Sequence, residues 1–160
     1  VLFRSGRKLF QSLNLHTLLY KMDNMTTVLH TGGCHCGKVR WQVEAPRSIV
    51  AWECNCSNCS MRGNIHFIVP SHRFQLLGDS DLFLSTYTFA THTARHTFCK
   101  ICGITSFYIP RSNPDGVAVT ITCLDPNSVN HVEIKSFDGK NWEKSYQETG
   151  IAKCSFAQGK

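Results

Sequence analysis

Three thiols fall within six residues at Cys54-Asn55-Cys56-Ser57-Asn58-Cys59, spaced so that all three sulfurs can close on one metal ion. Zn²⁺ is tetrahedral, so a site with three protein ligands keeps a fourth position for water or substrate, which separates catalytic from closed structural zinc. The triplet is therefore the first candidate for chemistry. Two further pairs, Cys34/Cys36 and Cys99/Cys102, also have ligand spacing. Residues i and i+2 of an extended segment share a face, so Cys-x-Cys offers both sulfurs to one ion. Cys-x-x-Cys-Gly at a hairpin tip does the same, the glycine taking the positive φ of the turn.

Seven clustered cysteines divide most simply into four and three, implying two zinc ions per chain. The two distant pairs make a closed site of Cys34, Cys36, Cys99 and Cys102 that ties the start of the domain to its middle, and the binding free energy of a structural zinc contributes directly to folding. Three other readings compete. One pair could be buried for packing alone. His35, His66, His96 or Cys123 could close the triplet into a second structural zinc. An iron–sulfur cluster is the third, although the spacing matches neither common ferredoxin pattern. Outside the clusters, Cys123 reads as a core residue and Cys154 as an exposed tail thiol, while Arg95 and Arg111 are candidates for binding a carboxylate-bearing substrate.

The elements that must position these groups read as short strands. Val39–Val43 alternates apolar with polar and ends at Pro46; Ser48–Trp52 feeds straight into the triplet; His66–Val69 closes at Pro70; Phe74–Leu77 precedes a Gly78-Asp79 turn. Leu82–Phe89 and Arg95–Phe98 flank a turn at Ala90–Thr93, followed by Ile104–Tyr108, Val117–Thr122 and His131–Phe137, with Asp138-Gly139 as a turn. Gly32-Gly33 is expected to supply the tight backbone that brings Cys34 and Cys36 together. Strands of this length at this spacing, without long 3.6-residue periodicity, predict a mainly β domain built on short strands.

At 160 residues the chain supports one domain with a real core. No apolar run approaches the ~18 to 20 residues of a membrane span, and no membrane partner is expected. The formal charge is +6. Seven thiolates subtract seven and two Zn²⁺ add four, leaving +3, so nucleic acid is not an expected partner. Lys135, Lys140, Trp142 and Lys144 make a weak basic and aromatic patch, interrupted by Asp138, Glu143 and Glu148. Nine cysteines in a chain of this length favour metal in a reducing compartment over a secreted disulfide scaffold. Residues 1–24 carry Arg4, Arg7, Lys8 and Lys21 with no acid before Asp23, as in a mitochondrial presequence or a non-native extension. They are set apart from a domain over residues 25–148, with residues 149–160 expected to fray.

The combination of Gly33-Cys34-His35-Cys36-Gly37, the Cys54–Cys59 triplet and Thr97-Phe98-Cys99-Lys100-Ile101-Cys102-Gly103 resembles the glutathione-dependent formaldehyde-activating enzyme family, most closely its centromere protein V branch. The likeness runs through His66–Pro70, Thr86–Phe89, Ser106–Tyr108 and Pro110–Pro114, covering about Thr31 to Trp142. It implies an Mss4-like (β-tent) fold, a structural zinc on Cys34, Cys36, Cys99 and Cys102, and a catalytic zinc on Cys54, Cys56 and Cys59. The implied activity is carbon–sulfur lyase chemistry on a thiol–aldehyde adduct such as S-hydroxymethylglutathione, with glutathione or another small thiol as co-substrate. The centromere protein V branch implies the alternative of a zinc-stabilised interaction module for a chromosomal or cytoskeletal protein partner. The expected compartment is the cytoplasm or nucleus, or the mitochondrion if residues 1–21 are a presequence.

Overall fold

The computed structural model describes residues 26–156; the leader expected over residues 1–24 lies outside them. Three sheets form among the described residues. The first joins β1 (Thr27–Gly33), β2 (Arg40–Pro46) and β5 (Phe74–Leu77), all antiparallel, in the order β1-β2-β5. The second contains β3 (Ser48–Cys54), β4 (Ile65–Pro70), β8 (Phe107–Tyr108), β9 (Gly116–Thr120) and β10 (His131–Phe137), in the order β10-β3-β4-β9-β8. A separate hairpin pairs β6 (Leu84–Tyr87) with β7 (His96–Cys99). Two short helices, α1 (Ser57–Arg62) and α2 (Trp142–Thr149), complete the regular elements. The mainly β expectation holds, with one departure from antiparallel pairing: β10 runs parallel to β3, His131 facing Ser48 and Phe137 facing Cys54.

The two-residue period of the strands sorts side chains onto the two faces of the second sheet. Phe67 and Val69 of β4, Phe107 of β8 and Val117 and Val119 of β9 point toward the first sheet and pack with Trp41, Val43 and Ile49 in the main core. The intervening residues face the other way. Ile68, Tyr108, Ala118 and Trp52 form a second cluster, covered by Phe137, Trp142, Tyr146 and Ile151. With both faces covered, β9 is buried along its whole length. This second, smaller cluster walls the thiol triplet.

Three expectations need correction, one being Cys154, expected as an exposed tail thiol but partly buried against the second cluster. Gly32 and Gly33 lie within β1, not in a turn. What requires glycine at residue 32 is crowding, since a β-carbon there would stand 2.3 Å from both the Cys123 carbonyl oxygen and the Trp41 ring. The left-handed residue behind the Cys34/Cys36 pair is Gly37, at φ 75°.

The segment from residue 149, expected to fray, is seated on the second cluster as far as the structure describes it. Gly150 ends α2 in the left-handed conformation, and a 3₁₀ turn over Ile151–Ser155 follows. Asn113, almost wholly buried, explains the anchoring: its Nδ2 donates to the carbonyl oxygens of Ile151 (3.1 Å) and Ala152 (3.0 Å) and to Ser155 Oγ (2.9 Å). A buried amide must find acceptors, and here only the chain end supplies them.

Candidate active site and metal centres

The four distant thiols meet. The sulfurs of Cys34, Cys36, Cys99 and Cys102 lie within 4.8 Å of one another, with Cys34 Sγ to Cys36 Sγ at 3.5 Å and Cys36 Sγ to Cys99 Sγ at 3.6 Å. Zn–S bonds of about 2.3 Å set tetrahedral sulfurs about 3.8 Å apart, so the donor set and its spacing fit zinc. Each pair sits on a tight turn followed by a left-handed glycine, Gly37 after the first and Gly103 (φ 76°) after the second. The turns close through Gly37 N–H to the Cys34 carbonyl (3.1 Å) and Gly103 N–H to the Cys99 carbonyl (2.8 Å). Val39 N–H donates to Cys34 Sγ at 3.2 Å.

The triplet is assembled differently. Cys54 ends β3, Cys56 caps α1 with its sulfur accepting from Cys59 N–H (3.4 Å), and Cys59 is buried in the first turn. All three sulfurs lie within 4.8 Å of one another, and among the described residues no fourth Cys, His, Asp or Glu ligand atom joins that group. His66 and His96 line the cavity beside it. His35 and Cys123, the other candidates for a fourth ligand, line a separate open groove with Cys34 instead. Hydrogen bonds from the Cys54 and Cys59 thiols, then from backbone N–H groups, pull the Cys56 thiol far below its ordinary pKa.

The turn after β10 clasps the triplet from outside. Asn55 N–H donates to the Phe137 carbonyl (3.2 Å), Asn55 Nδ2 to Asp138 Oδ1 (2.8 Å), and Lys140 N–H to Asn55 Oδ1 (3.2 Å). Hydrogen bonds from Asn141 and then Asn55 hold the Asp138 carboxyl below its usual range. Asn58, between the second and third cysteines, reaches His96 Nδ1 at 3.2 Å and accepts from Arg62 Nε at 3.1 Å.

Inside, a cavity of about 170 Å³ opens on the three cysteines. Its inner wall is a run of rings: Phe89 stacks on His96 (5.4 Å), His96 on Tyr108 (4.9 Å), and Tyr108 meets His66 edge-on (5.0 Å). Tyr108 Oη and His66 Nε2 share a hydrogen bond of 3.0 Å. Burial keeps Tyr108 protonated, raising its pKa well above the usual value, and the charge of the nearby thiols adds to this. Burial pushes His66 down to about 4, so its ring is neutral at physiological pH. The outer wall is Phe137, Trp142 and Arg111, whose guanidinium lies 3.6 Å over the Trp142 ring and donates to Glu143 Oε1 (2.7 Å).

Of the two arginines singled out in the sequence, only Arg111 lines this cavity; Arg95 is bridged through its backbone to Ile109. Ligand spacing does not single out Tyr108, Phe89, Trp142 or Gly139, because strand register brings them to the site. Trp142 and Tyr146 do carry a local signal, an i, i+4 aromatic pair ahead of Gly150, and they stack at 4.7 Å on α2.

Residues 29–140 match the family described as glutathione-dependent formaldehyde-activating enzyme. A crystal structure of a Rhodobacter sphaeroides protein is similar at 31% identity and a TM-score of 0.54, covering 66% of this chain and 99% of that one. The matched span runs from β1 to the Asp138-Gly139 turn and takes in both thiol clusters and the inner wall of the cavity. The chain belongs to the glutathione-dependent formaldehyde-activating enzyme family.

Proposed function

We propose that this protein is a zinc-dependent carbon–sulfur lyase acting on a thiol–aldehyde adduct, S-hydroxymethylglutathione being the member of that class that the family name suggests. The observation that carries the reading is a three-thiol cluster, without a fourth protein ligand among the described residues, facing a cavity with a tyrosine–histidine pair in its wall. Cys34, Cys36, Cys99 and Cys102 would hold a structural zinc, and Cys54, Cys56 and Cys59 a second zinc. Such an ion, when bound, stabilises a sulfur anion as thiolate. Small sheets resting on two cysteine knuckles support the Mss4-like reading.

The chain's own groups handle the oxygen. When the adduct breaks, its C–S bond gives the electron pair to sulfur while the O–H bond gives its pair to the new carbonyl. The departing proton passes to Tyr108 Oη as Tyr108 passes its own to Nε2 of neutral His66, and both return in the joining direction.

A concave cavity that brings the thiol triplet and the Tyr108–His66 pair together supports this reading over the interaction module suggested by the centromere protein V branch, which needs a surface instead. The nine cysteines, all free of disulfides, support a reducing compartment such as cytoplasm or nucleus. The test is turnover of S-hydroxymethylglutathione by the two-zinc protein and by Cys56→Ser. Turnover lost in a variant that stays folded supports the lyase. Absence of turnover in the wild-type protein, or a Cys56→Ser variant that unfolds, would turn the triplet into a structural feature.

A further inference from the structure

We infer that Arg111 is a specificity residue of this site, binding a carboxylate of the thiol partner at the cavity rim. The inference rests on the lyase reading above for its thiol, but on separate residues for the carboxylate. Among the residues that line the cavity there is no lysine, aspartate or glutamate, and Arg111 is the single arginine. An anion entering beside the triplet therefore meets one fixed positive charge and no fixed carboxylate in the walls.

That charge is held in place before any ligand arrives. The backbone of the Pro110–Asn113 turn closes through Asn113 N–H to the Pro110 carbonyl (3.3 Å), and the Asn113 side chain pins it to the segment Ile151–Ser155 through three hydrogen bonds. The guanidinium lies flat on Trp142 at 3.6 Å. Among the described residues its side-chain hydrogen bond uses a single Nη2 N–H, to Glu143. An arginine presents five N–H donors in a planar fork, so most of the fork remains for a carboxylate. The side chain is about one-third exposed and Glu143 about three-quarters exposed, which places the pair at the rim and leaves the competing carboxylate in solvent. Fixing a fork against an aromatic face reduces the entropy lost on binding, the usual route to specificity for planar anions.

The test compares 3-mercaptopropionate with 2-mercaptoethanol, two thiols that differ in the terminal carboxylate. Binding to the cobalt-substituted protein is followed by the thiolate-to-metal absorption, and turnover with formaldehyde is followed separately. The expected result is roughly 10- to 100-fold tighter binding of 3-mercaptopropionate, the range of a hydrogen bond to a charged group. Arg111→Gln should abolish that preference with metal content unchanged; Arg111→Lys should restore part of it as a point charge. Equal binding of the two thiols by wild type, a preference that survives in Arg111→Gln, or binding of neither would overturn the assignment. A preference dependent on Arg111 without turnover would sink the lyase reading and keep the anchor, whereas equal turnover of both thiols would do the reverse.

Discussion

Gly139 stands against Cys54 so closely that a β-carbon on it would lie 2.5 Å from the Cys54 sulfur and 2.7 Å from Cys56 Cβ. The turn following the last strand is thus packed onto the thiol triplet through a bare backbone, and Asn55 fastens the two together.

Gly139→Ala forces the turn and the triplet apart. Strain of this kind costs about 1–3 kcal/mol in a packed site, which corresponds to roughly 10- to 100-fold weaker metal binding. If each thiol cluster holds a zinc ion as proposed, zinc content after dialysis against a mild chelator should fall from two ions per chain toward one, with the circular dichroism spectrum retained. Retention of both ions at wild-type affinity would show that the turn yields freely.

The two clusters should fail in different ways. Cys99→Ser breaks the link between the tip of β7 and the turn after β1, and if the proposed structural zinc there is coupled to folding, the melting temperature should drop steeply and chelator should have little further effect. Cys56→Ser should leave the melting temperature much closer to wild type. Equal losses in the two variants, read by calorimetry, would argue that neither cluster is specialised.

Tyr108→Phe removes the hydroxyl that joins the cavity to His66. If that pair moves the proton, the rate constant for adduct breakdown falls by about 10²- to 10⁴-fold, with KM and the content of both metals little changed. A variant that keeps full turnover would assign the proton to another group.

His66 gives stability a pH dependence with a definite sign. Its pKa is about 4 in the folded protein, lowered chiefly by burial from 6.5, so between those values the unfolded chain binds the extra proton. The contribution is complete above pH 6.5 and is lost as pH falls toward 4, up to about 3 kcal/mol. Acid also releases metal from thiolates, so the informative quantity is the difference from His66→Gln. Urea midpoints of the two proteins should converge as pH falls from 7 to 5; parallel curves would remove burial of His66 as the cause.

The thiols were legible because ligand spacing is local: Cys-x-Cys and Cys-x-x-Cys state their geometry within a few residues. The alternation of β2 was legible for the same reason. Register between strands is a tertiary property, so nothing local pairs Tyr108 with His66 or lays β10 parallel to β3. Glycine was identified but assigned to the wrong task at Gly32, where the Trp41 ring and a carbonyl oxygen, and no turn, leave no room for a side chain. The chain end was read as loose because its composition is small and polar, whereas Asn113, about 40 residues earlier, decides its placement.

The parallel strand also sets an order of events during synthesis. A chain emerging from its N-terminal side has every thiol of the four-cysteine cluster once residue 102 has appeared, and all three of the triplet by residue 59. The triplet nevertheless waits for Phe137, Gly139 and Trp142 to wall it. A nascent chain can therefore hold every thiol of both clusters while the triplet still lacks its outer wall, which comes only with β10 and the turn and helix that follow it.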